Sequence, residues 1–153
     1  MKRKLTLILL LLLLLLLLFS CDKKSTEAKD WDPYGSYFGP IEDNGWSANF
    51  DNFIVLPSGF SASALISTMV GYEFFDETIY ISGEVEKNGN NYTLSGSFSL
   101  RIEDSDGFTI YSSNGSVAGE FHCDDDMPFP EGSGSGSTVD NQRTISWNIF
   151  RTQ

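Results

Sequence analysis

From Tyr92 to Glu103 apolar and polar residues alternate: Leu94, Phe98, Leu100 and Ile102 share one parity, and Thr93, Ser95, Ser97, Ser99 and Arg101 take the other. Successive side chains of a strand point to opposite faces, so this period of two predicts a strand with one apolar and one wet face. Ile79, Ile81 and Val85 repeat the pattern against Ser82, Glu84 and Glu86, as do Phe50 and Ile54 against Asn49 and Asp51. Extended along the chain, the same reading predicts strands near 34–41, 46–56, 59–67, 78–86, 91–103, 107–113, 116–123 and 143–151, with a weaker candidate at 133–139. Only Met69–Asp76 is expected to form a helical turn. The prediction is therefore an all-β chain, one antiparallel sheet wrapped around one core.

Turn signals fall between these runs, at Lys87-Asn88-Gly89-Asn90, Asp104-Ser105-Asp106-Gly107, Asn114-Gly115 and Asp140-Asn141-Gln142. Asn-Gly and Asp-Gly between alternating segments mark hairpins, and consecutive hairpins make an up-and-down meander. A short motif of the form apolar, any, Gly, any, apolar recurs around Gly39, Gly83, Gly96 and Gly119, each glycine taking the inward parity. A core-facing glycine in a strand marks a sharp bend or the close approach of a large neighbour. Bends repeated in phase coil a sheet until it closes, which favours a barrel of about eight strands over the alternative, a β-sandwich.

The N-terminus has a different pattern. Leu5–Phe19 is an apolar run of 15 residues containing ten consecutive leucines, short of the roughly 20 that span a bilayer. Lys2, Arg3 and Lys4 precede it, and Leu18-Phe19-Ser20-Cys21 closes it, the layout of a secretory signal with a small residue before a cysteine. That tetrapeptide resembles the lipobox of bacterial lipoproteins, with Phe19 standing where the family usually has a small residue. The resemblance implies that residues 1–20 are removed and that Cys21 is lipidated, holding the protein to a membrane by its N-terminus. Residues 21–33 then read as a polar tether and 34–153 as the barrel domain. An uncleaved anchor is the alternative, and its basic N-terminal flank would also place the rest of the chain outside the cytoplasm.

Charge narrows the partners. From Trp31 onward 18 acidic residues face four basic ones (Lys87, Arg101, Arg143, Arg151), a net charge of −14. Such a surface repels phosphate backbones and anionic headgroups, so nucleic acid is excluded as a partner. With Cys21 assigned to the lipid, no second cysteine is left to bridge to Cys123 within the chain, and a disulfide framework is not expected.

No catalytic constellation can be assembled, and no enzyme activity or cofactor is expected. His122 is the only histidine and no Gly-x-Ser-x-Gly elbow occurs. His122 and Cys123, adjacent on a strand, point to opposite faces and do not chelate together. Asp124, Asp125, Asp126 and Glu131 supply oxygens of the kind calcium takes, but without a recognised ligand spacing they read first as a solvated acidic loop. Glu131–Ser137, EGSGSGS, looks like a flexible linker and lacks the lysine of a phosphate-binding loop, so it is expected at the rim.

Residues 34–151, with their in-phase glycines and closing Thr144-Ile145-Ser146-Trp147-Asn148 strand, resemble small Gly-rich lipocalin-like meander barrels found behind lipobox signals in Gram-negative envelopes. That resemblance implies a location on the outer membrane or cell surface. Two roles follow as expectations. One is a module that takes a small apolar or amphipathic ligand at an open end lined by residues near 69–77 and 123–136. The other is a structural or protein-interaction lipoprotein with its interior filled by side chains. The anchoring expectation has a direct measurement: Cys21→Ser should yield a larger precursor that no longer incorporates labelled fatty acid, and a wild-type chain that shows neither acylation nor cleavage would establish the anchor instead.

Overall fold

The computed structural model describes residues 31–89, 91–123 and 129–152; the expectations resting on the leader, Cys21 and Asp124–Asp126 lie outside them. Nine strands follow in order: β1 (Gly35–Phe38), β2 (Pro40–Asp43), β3 (Trp46–Leu56), β4 (Gly59–Val70), β5 (Glu73–Asn88), β6 (Asn91–Asp104), β7 (Thr109–His122), β8 (Glu131–Thr138) and β9 (Thr144–Arg151). From β3 to β9 each strand pairs antiparallel with the next, and β1 and β2 pair with both β3 and β9. The sheet is therefore a closed meander barrel, not a sandwich. β1 and β2 make a single stave broken at Gly39.

That break has a steric cause. Gly39 sits at φ +154°, and a Cβ there would lie 2.0 Å from the Asn148 carbonyl oxygen. Only a residue without a side chain lets the stave pass so close to β9. Opposite the break, β3 carries an irregularity between Phe50 and Asn52, and the Phe50 N–H donates to the Gly39 carbonyl at 3.0 Å. The two kinks thus bend adjacent staves together, as bulges do where a sheet is curled into a barrel.

Inside, the predicted parity is observed on β5 and β6 but not at Ile54, expected inward with Phe50: the irregularity between Phe50 and Asn52 shifts the alternation, so Phe53 and Val55 face the core and Ile54 is exposed. Phe53, Val55, Ile79, Phe121, Ile145 and Ile149 are buried to 1 % exposure or less, and residues from every stave except the glycine- and serine-built β8 join one apolar cluster. Outside, a row of hydroxyls crosses six strands in register, Ser61, Ser82, Ser97, Ser116, Ser137 and Thr144. Apolar inside and polar outside is the inverse of a barrel that faces lipid.

Three segments differ from expectation. Met69–Asp76 is a hairpin, not a helical turn: Val70 pairs with Glu73, Met69 with Phe74 and Thr68 with Phe75, and Gly71 takes the left-handed conformation at the tip. Cross-strand apolar pairs hold it in sheet geometry. Asn114-Gly115 is no turn but the middle of β7, because Gly115 lies opposite Phe98, whose ring carbon Cε1 is 2.3 Å from where a Cβ would be. The third is EGSGSGS, expected at the rim and found as β8, a full stave between β7 and β9.

Glycine and serine alternate there with the strand's own period. Gly132, Gly134 and Gly136 take the inward parity, and the space they leave is filled by Phe121, Trp147 and Val117. At Gly134 a Cβ would stand 2.2 Å from Trp147 Cζ2. Gly83 is matched in the same manner, with Phe60 Cε1 2.8 Å from a Cβ built there, whereas its direct partner on β6, Gly96, admits the close approach of the Ser82–Gly83 backbone. Gly83, Gly132 and Gly134 are therefore complements to rings. Gly134→Val should destabilise the domain by about 1–3 kcal/mol or more through overpacking, while Ser135→Val, on the exposed face of the same strand, should shift a denaturant midpoint little; equal effects would refute the parity of β8.

Candidate functional site

A lumen that held a ligand would leave its lining accessible to a water-sized sphere even if the barrel were closed. The inward side chains show no such access: Phe53, Phe60, Phe98, Phe121 and Trp147 are all at 4 % exposure or below. Rings fill the axis in contact with one another, Phe53 stacked on Phe60 at 5.9 Å between centroids and Tyr37 tilted against Phe121 at 4.9 Å. Among the described residues the interior is a side-chain core.

The two ends are closed differently. At the end where the domain begins, Trp31 meets Tyr92 edge-to-face at 5.0 Å, Tyr92 Oη donates to the Trp31 carbonyl at 3.2 Å, and Tyr37 Oη donates to the Pro33 carbonyl at 2.7 Å. Burial pushes the Tyr37 hydroxyl far above the usual tyrosine range, so it stays a neutral donor. Trp31 and Pro33, read from the sequence as tether, thus lie against the barrel.

The opposite end is closed by charge. Asp43 at the end of β2 and Glu77 on β5 are fully buried, and Arg143, just before β9, reaches both. Its Nε donates to Asp43 Oδ2 at 2.7 Å, and its Nη2 donates to Glu77 Oε2 at 2.9 Å. The guanidinium also lies over the Trp46 ring, 5.0 Å from the centroid, a cation–π contact. Local structure aims it: Thr138 Oγ1 donates to Asp140, Asn141 takes a left-handed conformation, and the Arg143 N–H donates back to Thr138 Oγ1 at 3.1 Å. These contacts, with donors from Gln142 and Tyr111, hold the Asp140 carboxyl below the usual aspartate range.

One cation faces two carboxylates, and Asp43 Oδ1 and Glu77 Oε1 are buried without a donor. A proton on Glu77 resolves both deficits, supplying an O–H for its neighbour and removing an uncompensated buried charge. Burial and the Asp43 carboxylate accordingly raise Glu77 to about 9 against the opposing pull of Arg143. No local stretch of sequence signals this cluster, because its three members lie far apart in the chain, Asp43 and Arg143 by 100 residues.

The segments near 69–77 and 123–136 do not line one opening. In a meander, successive connections alternate between the two ends, and the β4–β5 and β7–β8 connections are three apart, so they lie at opposite ends. The β4–β5 tip stands at the Arg143 end with its apolar residues in solvent: Met69, Val70, Tyr72 and Phe74 are more than half exposed, as are Phe108 and Ile110 beyond the β6–β7 turn. Carboxylates of Glu73, Asp76, Asp104 and Asp106 lie among them in sequence. Exposed apolar side chains gathered at one end mark an interaction surface more often than isolated ones do.

The remaining candidates contribute less. Gly39, Gly83, Gly96 and Gly119 occupy close backbone or ring contacts and offer no ligand chemistry. Of the calcium candidates only Glu131 is described, at the start of β8 with His122 Nε2 4.0 Å away. No group of three or more His, Cys, Asp or Glu side chains is placed to hold a metal among the described residues. Cys123 is half-buried just after β7.

The buried cluster predicts a pH dependence. Between 4.5 and about 9 the folded Glu77 holds a proton that the unfolded chain has released, so its contribution to stability is complete at acid pH and is lost as pH rises through that window. Glu77→Gln should flatten this part of the stability profile while keeping the fold. Arg143→Met, which strands the buried Asp43 carboxylate, should cost about 3–5 kcal/mol near neutrality. An unchanged profile in Glu77→Gln, measured by denaturant melts across pH, would contradict the shared proton.

No protein-family model matches the chain, and no curated protein or solved structure matches it.

Proposed function

We propose that this chain is a non-catalytic interaction module of the cell envelope, held to its membrane through lipidated Cys21 and presenting the Arg143 end of the barrel to a protein partner. The close-packed lumen carries this reading, since an interior occupied by Phe53, Phe98, Phe121 and Trp147 leaves no seat for a carried molecule. The inward face is spent on stability. The apolar side chains left in solvent at one end are then the surface with binding capacity. Their acidic surroundings favour encounter with a basic partner and disfavour anionic lipid.

A small-ligand reading retains one observation in its favour. On the outer wall Ile54, Leu56, Gly59, Phe60, Ser61 and Gly83 border an open groove of about 440 Å³, within the range of small-molecule sites. A neutral solvatochromic dye separates these readings. The interaction module should show no saturable dye binding and no change in Trp147 emission. One dye per chain with a shift of Trp147 emission would restore the lumen as a carrier site and overturn the proposal. One dye per chain lost in Leu56→Glu would overturn it in favour of the outer groove.

A further inference from the structure

The barrel is not closed by backbone along its whole length. β3 and β4 pair from Leu56↔Gly59 to Phe50↔Ala64, after which the upper part of β3 pairs only with β2 and Leu65–Val70 of β4 pairs only with β5. Among the described residues no strand lies on the other side of Leu65–Val70, so that half of β4 is an edge with unpaired N–H and C=O groups.

Natural edges are protected by lysines, prolines, bulges or shortness. The sequence Leu65-Ile66-Ser67-Thr68-Met69-Val70 has no charge and no proline, and its register with β5 runs without a break from Ala64↔Ile79 to Val70↔Glu73. Its outward parity exposes Leu65 and Met69, with Phe74 directly across from Met69. Behind it, Ile66 is opposite Glu77, so the Arg143 bridge to Asp43 and Glu77 closes with side chains what backbone pairing leaves open. The edge is thereby left regular and available without loss of the core.

We infer that the Leu65–Val70 edge of β4 is a strand-docking site for an extended segment of a partner protein in which apolar residues alternate with Lys or Arg, an inference that rests on the interaction-module reading. Main-chain hydrogen bonds to the edge supply affinity, and alternate side chains supply selectivity. Apolar side chains of the incoming strand complement Leu65 and Met69. Basic ones, of the opposite parity, answer Glu73, which pairs with Val70 across the hairpin, and the domain's net charge of −14. The same charge argues against a second copy of this chain as the occupant, because two such domains repel at the distance of strand pairing.

The test uses the full lipidated chain in zwitterionic detergent, with three short synthetic peptides as probes: alternating valine and lysine, alternating valine and glutamate, and a valine–lysine peptide of unchanged charge interrupted by proline. The first should bind and slow amide exchange at residues 65–70, and the other two should not. Leu65→Lys combined with Met69→Lys should weaken binding at least about tenfold while leaving exchange in β6 and β7 unchanged. Equal binding by the proline peptide would reduce the effect to charge attraction and overturn the site, as would binding undiminished in the double variant, protection elsewhere, or no binding. Protection of 65–70 that depends on protein concentration alone would replace the partner by a second copy and equally overturn it. The dye experiment reads the lumen and the outer groove, so failure at this edge leaves the packed-barrel reading standing.

Discussion

Much of the packing of this barrel depends on contacts that a Cβ would destroy. Ring edges of Phe60, Phe98, Phe121 and Trp147 rest on backbone at Gly83, Gly115, Gly132 and Gly134, so large side chains from one strand are accommodated by the absence of any from its neighbour. Interiors reach crystal-like density only when such volumes match. A narrow barrel has little freedom to relax around a mismatch. The glycines therefore set the diameter of the barrel as much as the aromatics do, and the match explains why an all-β domain can spend three of its eight β8 positions on serine and three on glycine without a hole.

The barrel's two ends obey different chemistry. Around Trp31, Tyr37 and Tyr92 closure is aromatic, with hydroxyls donating to backbone carbonyls. Around Arg143 closure is ionic and leaves Asp43 and Glu77 in surplus over their one cation. A buried ion pair is weak support for stability compared with an apolar plug of the same volume. Its retention is better understood through geometry: a guanidinium can reach β2 and β5 at once across a stretch where no strand pairs, which a hydrocarbon side chain cannot do with fixed direction.

Much of the architecture was legible in the sequence because period two is written directly in Leu94, Phe98, Leu100 and Ile102 and in the glycines that share their parity. The all-β meander and the barrel follow from that pattern. What escaped was chemistry in which the inward residue is a space. At Gly132-Ser133-Gly134-Ser135-Gly136 the alternation is perfect, yet it carries no hydrophobic signal, since the apolar partners reside on β7 and β9. Asn114-Gly115 misled for a related reason: its turn propensity is overridden by Phe98 on the adjacent strand. The buried cluster was illegible because proximity of Asp43, Glu77 and Arg143 is created by closure, which no local window contains. The exposed β4–β5 tip was placed near its true position, but its strand character depends on cross-strand pairs that only register reveals.

The stave formed by β1 and β2 is seated between β3 and β9, and on the β9 side Ile41, Glu42 and Asp43 find their partners in Trp147, Ser146 and Ile145. A chain that emerges from its N-terminus can build β3 through β8 hairpin by hairpin, from contacts that are close in sequence and quickly made. It cannot close. Until the last eight-residue strand, Thr144–Arg151, is released, the sheet has two raw margins, an open seam along β8 and an unburied inner face. The time-limiting event in acquiring the native state is then the arrival of β9, and a nascent chain that lacks it is a curled ribbon with its inward rings exposed to water. Such a species is a natural substrate for holding factors and proteases.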